Sequence, residues 1–411
     1  MKIDIRSITL GIEKNELLNP QIESNIKRFF TEASGAMNEA NLIVNTKRLL
    51  LSPFNDQRGM NIPRSREFVH TIAAICENLG IRWFCIPFST FTQSDLREVN
   101  QSMIEIIKRY PSAFVNIILA KDRKINFEGI EHASHFIKSV SQLSNIGFDN
   151  FRVGVSCNCK PNGPFFPFTY HTGENGFSIA LELTGVLIEI IKGLQTRNLI
   201  NIRDNIIQNI VPALRVIDEI CKDIEKSTSM KYYGIDTSIA PLPRKGNSVA
   251  QLIEILGVNG FGSNGTLYIT SFLTDLLKLF IEKSNIISNG FNGIMFSCLE
   301  DPGMSQINNA GRFTVDSLLA YSAVCGCGID MVPIPGDTFE EEISSIILDV
   351  AGLSCAWDKP LGIRLLPIPM KKENEFTDFN HDFLYNTRVF GLGRKGMEYD
   401  FFNNQYVKIN R

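Results

Sequence analysis

The chain has 411 residues, 44% of them hydrophobic and 21% charged, proportions close to globular averages that exclude whole-chain disorder and leave ample material for a core. Its formal net charge is −3 and its Lys and Arg residues are scattered. The basic stripe that a nucleic acid would require is absent, and no nucleic-acid partner is expected.

The N-terminal MKIDIRSITLG alternates like a strand and lacks the apolar stretch of a signal peptide, so a cytoplasmic location is expected. Asn19-Pro20 opens a run in which Ile22, Ile26, Phe29, Phe30, Ala33 and Met37 recur at helical spacing. A second helical run over 67–79 stops at Gly80 and gives way to a short strand over 82–86. Helices over 95–109 and 129–143 lead in the same way to strands over 113–120 and 151–156. The apolar run 177–193 contains Glu182, Glu189 and Lys192, charges too costly for hydrocarbon, so it reads as a buried helix and no membrane partner is expected.

The second half keeps the rhythm. A helix from Ile202 precedes a strand over 232–239, and helices from Ser248 and over 266–282 precede a strand over 290–297. A helix over 314–323 leads to a strand over 328–334, Thr338-Phe339-Glu340-Glu341 reads as a capping box for the next helix, and a last strand covers 361–368. Strands that alternate with covering helices imply a mostly parallel sheet. The expectation is an α/β fold with one barrel of about ten mostly parallel strands over residues 1–370, and a C-terminal extension over 371–411 packed on it.

Ligands of parallel α/β folds sit where loops and helix N-termini converge at the carboxyl ends of strands. The 151–156 strand runs out at Cys157-Asn158-Cys159, followed by Pro164-Phe165-Phe166-Pro167-Phe168-Thr169-Tyr170-His171. The 232–239 strand carries Asp236, and the 290–297 strand ends at Cys298-Leu299-Glu300-Asp301-Pro302-Gly303. Cys325-Gly326-Cys327-Gly328 leads into the strand that carries Asp330 and ends at Pro335-Gly336-Asp337-Thr338.

The stretches IRSITLG, GIDTSIAPLP, SVAQLIEILG with FGSNGT, EDPGM, CGCGIDMVPIPGDT and IRLLPIP resemble the domain-of-unknown-function 711 family, also called the UPF 0210 group. The resemblance spans nearly the whole chain. It implies a fold similar to the ten-stranded barrel of the pyruvate formate-lyase type of glycyl radical enzyme, and it implies no reaction. In such enzymes a core cysteine and a C-terminal glycine carry the radical. Cys325 or Cys327 could stand for the first, and the Arg388-Val389-Phe390-Gly391 segment bears a passing similarity to the second. Four residues are a weak match, and a working glycyl radical is not expected.

Nine cysteines are too sparse for a disulfide scaffold and are expected as reduced thiols, those at 76, 85, 221 and 355 as core residues. Cys157 and Cys159 with His171 offer soft ligands for zinc, iron or copper, although structural zinc sites favour Cys-x2-Cys. Equally, His171 could activate a thiol of Cys325 or Cys327 as a nucleophile. Asp236, Glu300, Asp301 and Asp337 are placed for acid–base work, while Asp330, Thr338, Phe165 and Phe166 are expected to contact substrate. Arg364 inside an apolar strand needs a buried carboxylate or an anionic substrate group. His70, His132 and His135 read as helix-surface residues, and FGSNGT as a turn before a helix.

Three functions follow: an enzyme on a small polar or carboxylated metabolite, a metal-dependent oxidoreductase or lyase built on the Cys-x-Cys pairs, or a regulatory protein that binds a metabolite without turnover. A small-molecule metabolite is the expected partner in each, with a homodimer as the expected assembly.

Overall fold

A computed structural model describes residues 2–54, 62–92, 95–393, 396–397 and 406–409. In chain order the first half consists of β1 (Ile5–Ile12), α1 (Ile22–Glu39), β2 (Lys47–Leu51), α2 (Ile62–Leu79), β3 (Trp83–Ser89), α3 (Leu96–Arg109), β4 (Ala113–Lys121), β5 (Lys124–Asn126), α4 (Phe127–Ser141) and β6 (Val153–Cys157). The second half adds β7 (Gly176–Leu181), α5 (Thr184–Gly193), α6 (Leu199–Thr228), β8 (Lys231–Asp236), α7 (Val249–Ile255), α8 (Thr266–Ser284), α9 (Pro302–Asn309), α10 (Val315–Ser322), β9 (Gly328–Pro335), α11 (Glu340–Trp357), β10 (Leu361–Ile368) and β11 (Tyr406–Lys408).

Most helices begin where a polar side chain accepts the orphan N–H groups of the first turn. Asp95 caps α3, Asn126 caps α4, Asn198 caps α6 and Ser248 caps α7. The capping box of α11 falls one residue later than its sequence suggests: the Glu342 carboxylate accepts the Phe339 N–H at 2.8 Å, and Thr338 lies ahead of the cap.

Strand order along the sheet is β8-β7-β1-β2-β3-β4-β6-β10-β9, with β5 and β11 appended to β4. Pairing is parallel from β1 through β2, β3 and β4 to β6, and again for β7 with β8 and β9 with β10. The two groups run in opposite directions, because β1 with β7 and β6 with β10 are antiparallel. The expected common carboxyl end therefore does not exist: where the strands of β1 to β6 finish, those of β7 to β10 start.

Two of the expected elements depart from the sequence reading, and β2, β5, α9 and β11 lie where it expected none. Residues 176–181 form β7, where a helix was expected to start, and α5 begins only at Thr184. The run is apolar throughout, and periodicity cannot separate a fully buried strand from a buried helix. Residues 290–297 make no regular strand. The ladder is open between β8 and β9, and this segment spans the gap through isolated parallel bridges, Ile235 with Ser288, Ile239 with Ile294 and Ser297 with Asp330. A continuous closed ladder is thus not formed.

Alternation along the strands separates two cores. Leu49 and Leu51 of β2, Phe84 and Ile86 of β3 and Ile363 and Leu365 of β10 join the large cluster beneath the helices. Their neighbours Leu50, Cys85 and Leu366 face the other way, into a cluster with Phe114, Phe151 and Phe166.

That inner face is filled by the loop between β6 and β7. The Pro164 carbonyl accepts from Thr9 Oγ1 (3.3 Å) and Arg48 (3.1 Å), and the Thr169 carbonyl accepts from Asn116 (2.8 Å). Gly154 and Gly362 supply the room. A Cβ on the first would lie 2.5 Å from Pro167, and on the second 2.6 Å from the Phe168 ring. The segment after β10 packs over the same end, with Phe379, Leu384 and Val389 buried in the inner cluster. No helix among the described residues is long and apolar enough to cross a membrane.

Candidate functional site

A cavity of about 220 Å³ opens at the end where β1 to β6 begin and β7 to β10 finish. Phe165, Phe166 and Phe168 of the inner loop, with Phe114 and Phe151, form its apolar walls; Trp83 and Phe383 stand at its rim. Its charged groups are Arg6, Arg48, Arg82, Arg244 and Arg364, facing Glu182, Glu300 and Asp330.

Strand alternation delivers the arginines. Arg48 precedes inward Leu50 by two residues on β2, and Arg364 precedes inward Leu366 by two on β10. Arg364 is held on every side: Nε and Nη2 donate to the two Asp330 oxygens at 2.6 and 2.9 Å, Nη2 also to Glu300 at 3.2 Å, and Nη1 to the Phe151 carbonyl at 3.1 Å. Glu300 further accepts from the Ser297 hydroxyl. The two carboxylates hold the Arg364 guanidinium charged and raise its pKa despite burial. Arg6 donates to Glu182 at 3.3 Å and to the Pro241 carbonyl at 2.9 Å.

Arg48 differs from both. Its hydrogen bonds run to Thr46 Oγ1 (3.2 Å) and the Pro164 carbonyl (3.1 Å), both neutral, and its guanidinium lies 5.4 Å above the Phe166 ring. Desolvation, then repulsion from Arg6, pull its pKa down to about 9. Such a group is stabilised by any anion that enters beside it. Glu182 is the complementary case: burial raises its carboxyl pKa against the pull of Arg6, Arg48 and Arg244, and Oε1 has no hydrogen-bond partner among the described residues.

Five of the residues singled out from sequence therefore meet here, namely Glu300, Asp330, Arg364, Phe165 and Phe166. The others do not. Cys157 and Cys159 lie where β6 ends, and Cys325 and Cys327 where β9 begins, the opposite end of these strands; Cys327 packs behind the wall, against Phe165, Ala240 and Met295, without lining the cavity. All nine thiols are buried, and desolvation raises the pKa of each of these four, so none has thiolate character at neutral pH. His171 is also sealed: Nδ1 lies 2.7 Å from Asn162 Oδ1, and burial lowers its pKa to about 4. The described residues contain no group of three or more His, Cys, Asp or Glu placed to hold a metal, so Cys157, Cys159 and His171 do not assemble the expected ligand set.

The remaining acids have structural duties. Asp236 accepts from Ser238 N–H and Oγ and from the Phe291 and Asn292 N–H groups, tying β8 to the bridging segment. Asp301 caps α9 through Gly303 and Met304 N–H while accepting from Ser248 Oγ and Val249 N–H at the start of α7. Asp337 is exposed outside the cavity, and Thr338 serves through its carbonyl, which accepts Lys138 Nζ at 2.6 Å.

Nor are the radical pair adjacent. Phe390 N–H bonds the Pro333 carbonyl near the far end of β9, which puts Gly391 about six strand residues, roughly 20 Å, from Cys327. The residues that sequence reading missed, Arg48, Arg6, Glu182 and Arg244, carried one usable signal. Arg48 stands two residues before Leu50 near the start of a strand whose following residues, Leu49 to Leu51, are apolar and buried, a weaker form of the pattern that singled out Arg364.

Residues 1–381 match the family described as uncharacterised ACR (DUF711). The UPF0210 protein of Carboxydothermus hydrogenoformans is 25% identical over 405 residues, that of Methanocaldococcus jannaschii 25% over 406 and that of Neisseria gonorrhoeae 24% over 398. In each comparison 92% of this chain and 88% of the relative are covered.

Proposed function

The chain belongs to the DUF711 family, and from the cavity it carries we propose that it is an enzyme acting on a small carboxylated metabolite. One observation carries this reading: Arg48 projects into the cavity with no carboxylate partner among the described residues, while Arg6 and Arg364 beside it are each paired. A ligand carboxylate takes the free edge of the Arg48 fork, where the surrounding rings exclude water and strengthen the contact. The Arg364–Asp330–Glu300 network positions the walls of the site. Glu182 is the proton-transfer group, since it lines the cavity with Oε1 unbonded among the described residues and burial raises its carboxyl pKa above the ordinary value.

The thiol chemistry expected from sequence has no support in this arrangement, because the cavity is lined by no cysteine among the described residues. Isothermal titration of the protein with a panel of small carboxylates tests the reading. Saturable binding that falls at least tenfold in Arg48→Met, and that survives the paired Cys325→Ser and Cys327→Ser replacement, is expected. Binding unaffected by Arg48→Met would sink the assignment. Once turnover is found, Glu182→Gln should abolish it while leaving affinity within about threefold; retained turnover would remove Glu182 from the chemistry.

A further inference from the structure

Resting on the reading of this cavity as a carboxylate site, we propose that the carboxylate it binds is borne by an aromatic ring system: the ligand is an aromatic monocarboxylate. Charge limits the ligand first. Five arginines line the cavity against Glu182, Glu300 and Asp330, and Asp382 lies beside Arg82 outside it. Counted together these groups leave one net positive charge, which one carboxylate neutralises; among the described residues Arg48 and Arg244 are the cavity arginines without an ion pair or a neighbouring Asp382. A second carboxylate would leave the site with a net negative charge.

The rings then specify the body. Seven aromatic side chains line the cavity, and they already touch one another: Trp83 with Phe114 and Phe114 with Phe151 edge-on, each at 5.3 Å, and Phe114 with Phe166 tilted at 5.9 Å. A ligand ring extends this array with the same kind of contact. The arginines reinforce the choice. Arg48 lies over Phe166, Arg6 over Phe165, and Arg364 over Phe151 and Phe168, so protein rings occupy guanidinium faces, and at Arg48, whose Nε and Nη1 bond Thr46 and Pro164, the Nη2 edge is left to the ligand. Size agrees: about 220 Å³ equals roughly seven waters at about 30 Å³ each, room for one ring with a short acid arm.

Three probes of similar length decide the matter by isothermal titration against the full chain: phenylacetate, cyclohexylacetate and succinate. Phenylacetate should bind one equivalent, roughly threefold to tenfold more tightly than cyclohexylacetate, the range an aromatic pair adds beyond area. Succinate should bind more weakly than either. Arg48→Met should remove phenylacetate binding, and Phe383→Leu, at the rim where folding is least at stake, should bring the ratio of phenylacetate to cyclohexylacetate affinity toward one.

Equal affinity for the two cyclic acids, or tighter succinate, overturns the aromatic class and leaves the carboxylate site standing if Arg48→Met still abolishes binding. Failure of all three to bind, or binding that survives in folded Arg48→Met, overturns the carboxylate site and this inference together.

Discussion

At the scale of single residues, the interior of this protein holds polar groups whose protonation states are set by what they touch. Asn162 fixes His171: its amide bonds the Thr172 carbonyl and its Oδ1 accepts the Thr172 N–H, so the same oxygen must accept a proton from His171 Nδ1. His171 Nε2 is left buried with no partner among the described residues, and the ring is neutral in the fold. The consequence for stability has a definite sign. The native ring releases its proton at about 4 and the unfolded one at 6.5, so between those values the unfolded chain binds the extra proton and gains. Stability attributable to His171 is complete above pH 6.5 and is lost as pH falls toward 4, by roughly 3 kcal/mol. Urea unfolding of wild type and His171→Gln at pH 7 and pH 4.5 measures it: the variant should lose less stability over that interval. An equal loss in both proteins would remove His171 as the source.

At the scale of elements, the loop between β6 and β7 decides where the cavity is. It brings Phe165, Phe166 and Phe168 across the inner face, and Gly154 and Gly362 are the strand positions that let it pass. Adding one methyl at Gly362 meets the Phe168 ring at 2.6 Å, within a packed interior that has little room to give. Gly362→Ala is expected to cost about 1–3 kcal/mol by overpacking and to weaken carboxylate binding through the displaced ring. Gly193 ends α5 with nothing within 4 Å of an added Cβ. Gly193→Ala should therefore go the other way, stabilising by up to about 1 kcal/mol. Denaturant midpoints of the two variants compare these signs directly, and a Gly362→Ala protein as stable as wild type would show that the loop is looser than its contacts imply.

At the scale of the whole molecule, the opposed groups of strands meet at one kind of junction, the antiparallel pairs β1 with β7 and β6 with β10, and the two halves of the second group, β7–β8 and β9–β10, meet at another, across residues 288–297. The second junction is made of single bridges reinforced by side chains: Asn292 Oδ1 accepts from Thr237 N–H and Oγ1, Ser238 Oγ accepts the Gly293 N–H, and Asp236 makes the largest share. Asp236 collects four hydrogen bonds there, from Ser238 and from the Phe291 and Asn292 backbone. Removing it orphans buried N–H groups, each worth about 1–3 kcal/mol. Asp236→Ala should lower stability by about 3 kcal/mol or more and speed amide hydrogen exchange across 291–295, with exchange in β3 and β4 following only the global change. Uniform acceleration throughout the sheet would mean that the junction does not open separately.

Much was legible from sequence because it depends on neighbours along the chain. The periodicity of Ile22 to Met37, the helical run over 95–109 and the apolar run from Leu361 to Ile368 are local, and their elements formed where expected. Arg364 could be picked out as a buried charge because its strand is apolar on both sides of it, and Asp330 proved to be its partner. The direction in which strands pair is not local. Since β7 runs against β1 and β10 against β6, the Cys-x-Cys pairs were carried to one end of the sheet and the Arg48 cavity formed at the other. Residue types and spacing reveal which side chains leave a strand on its inner face, whereas only the tertiary pairing decides which of those side chains share a space.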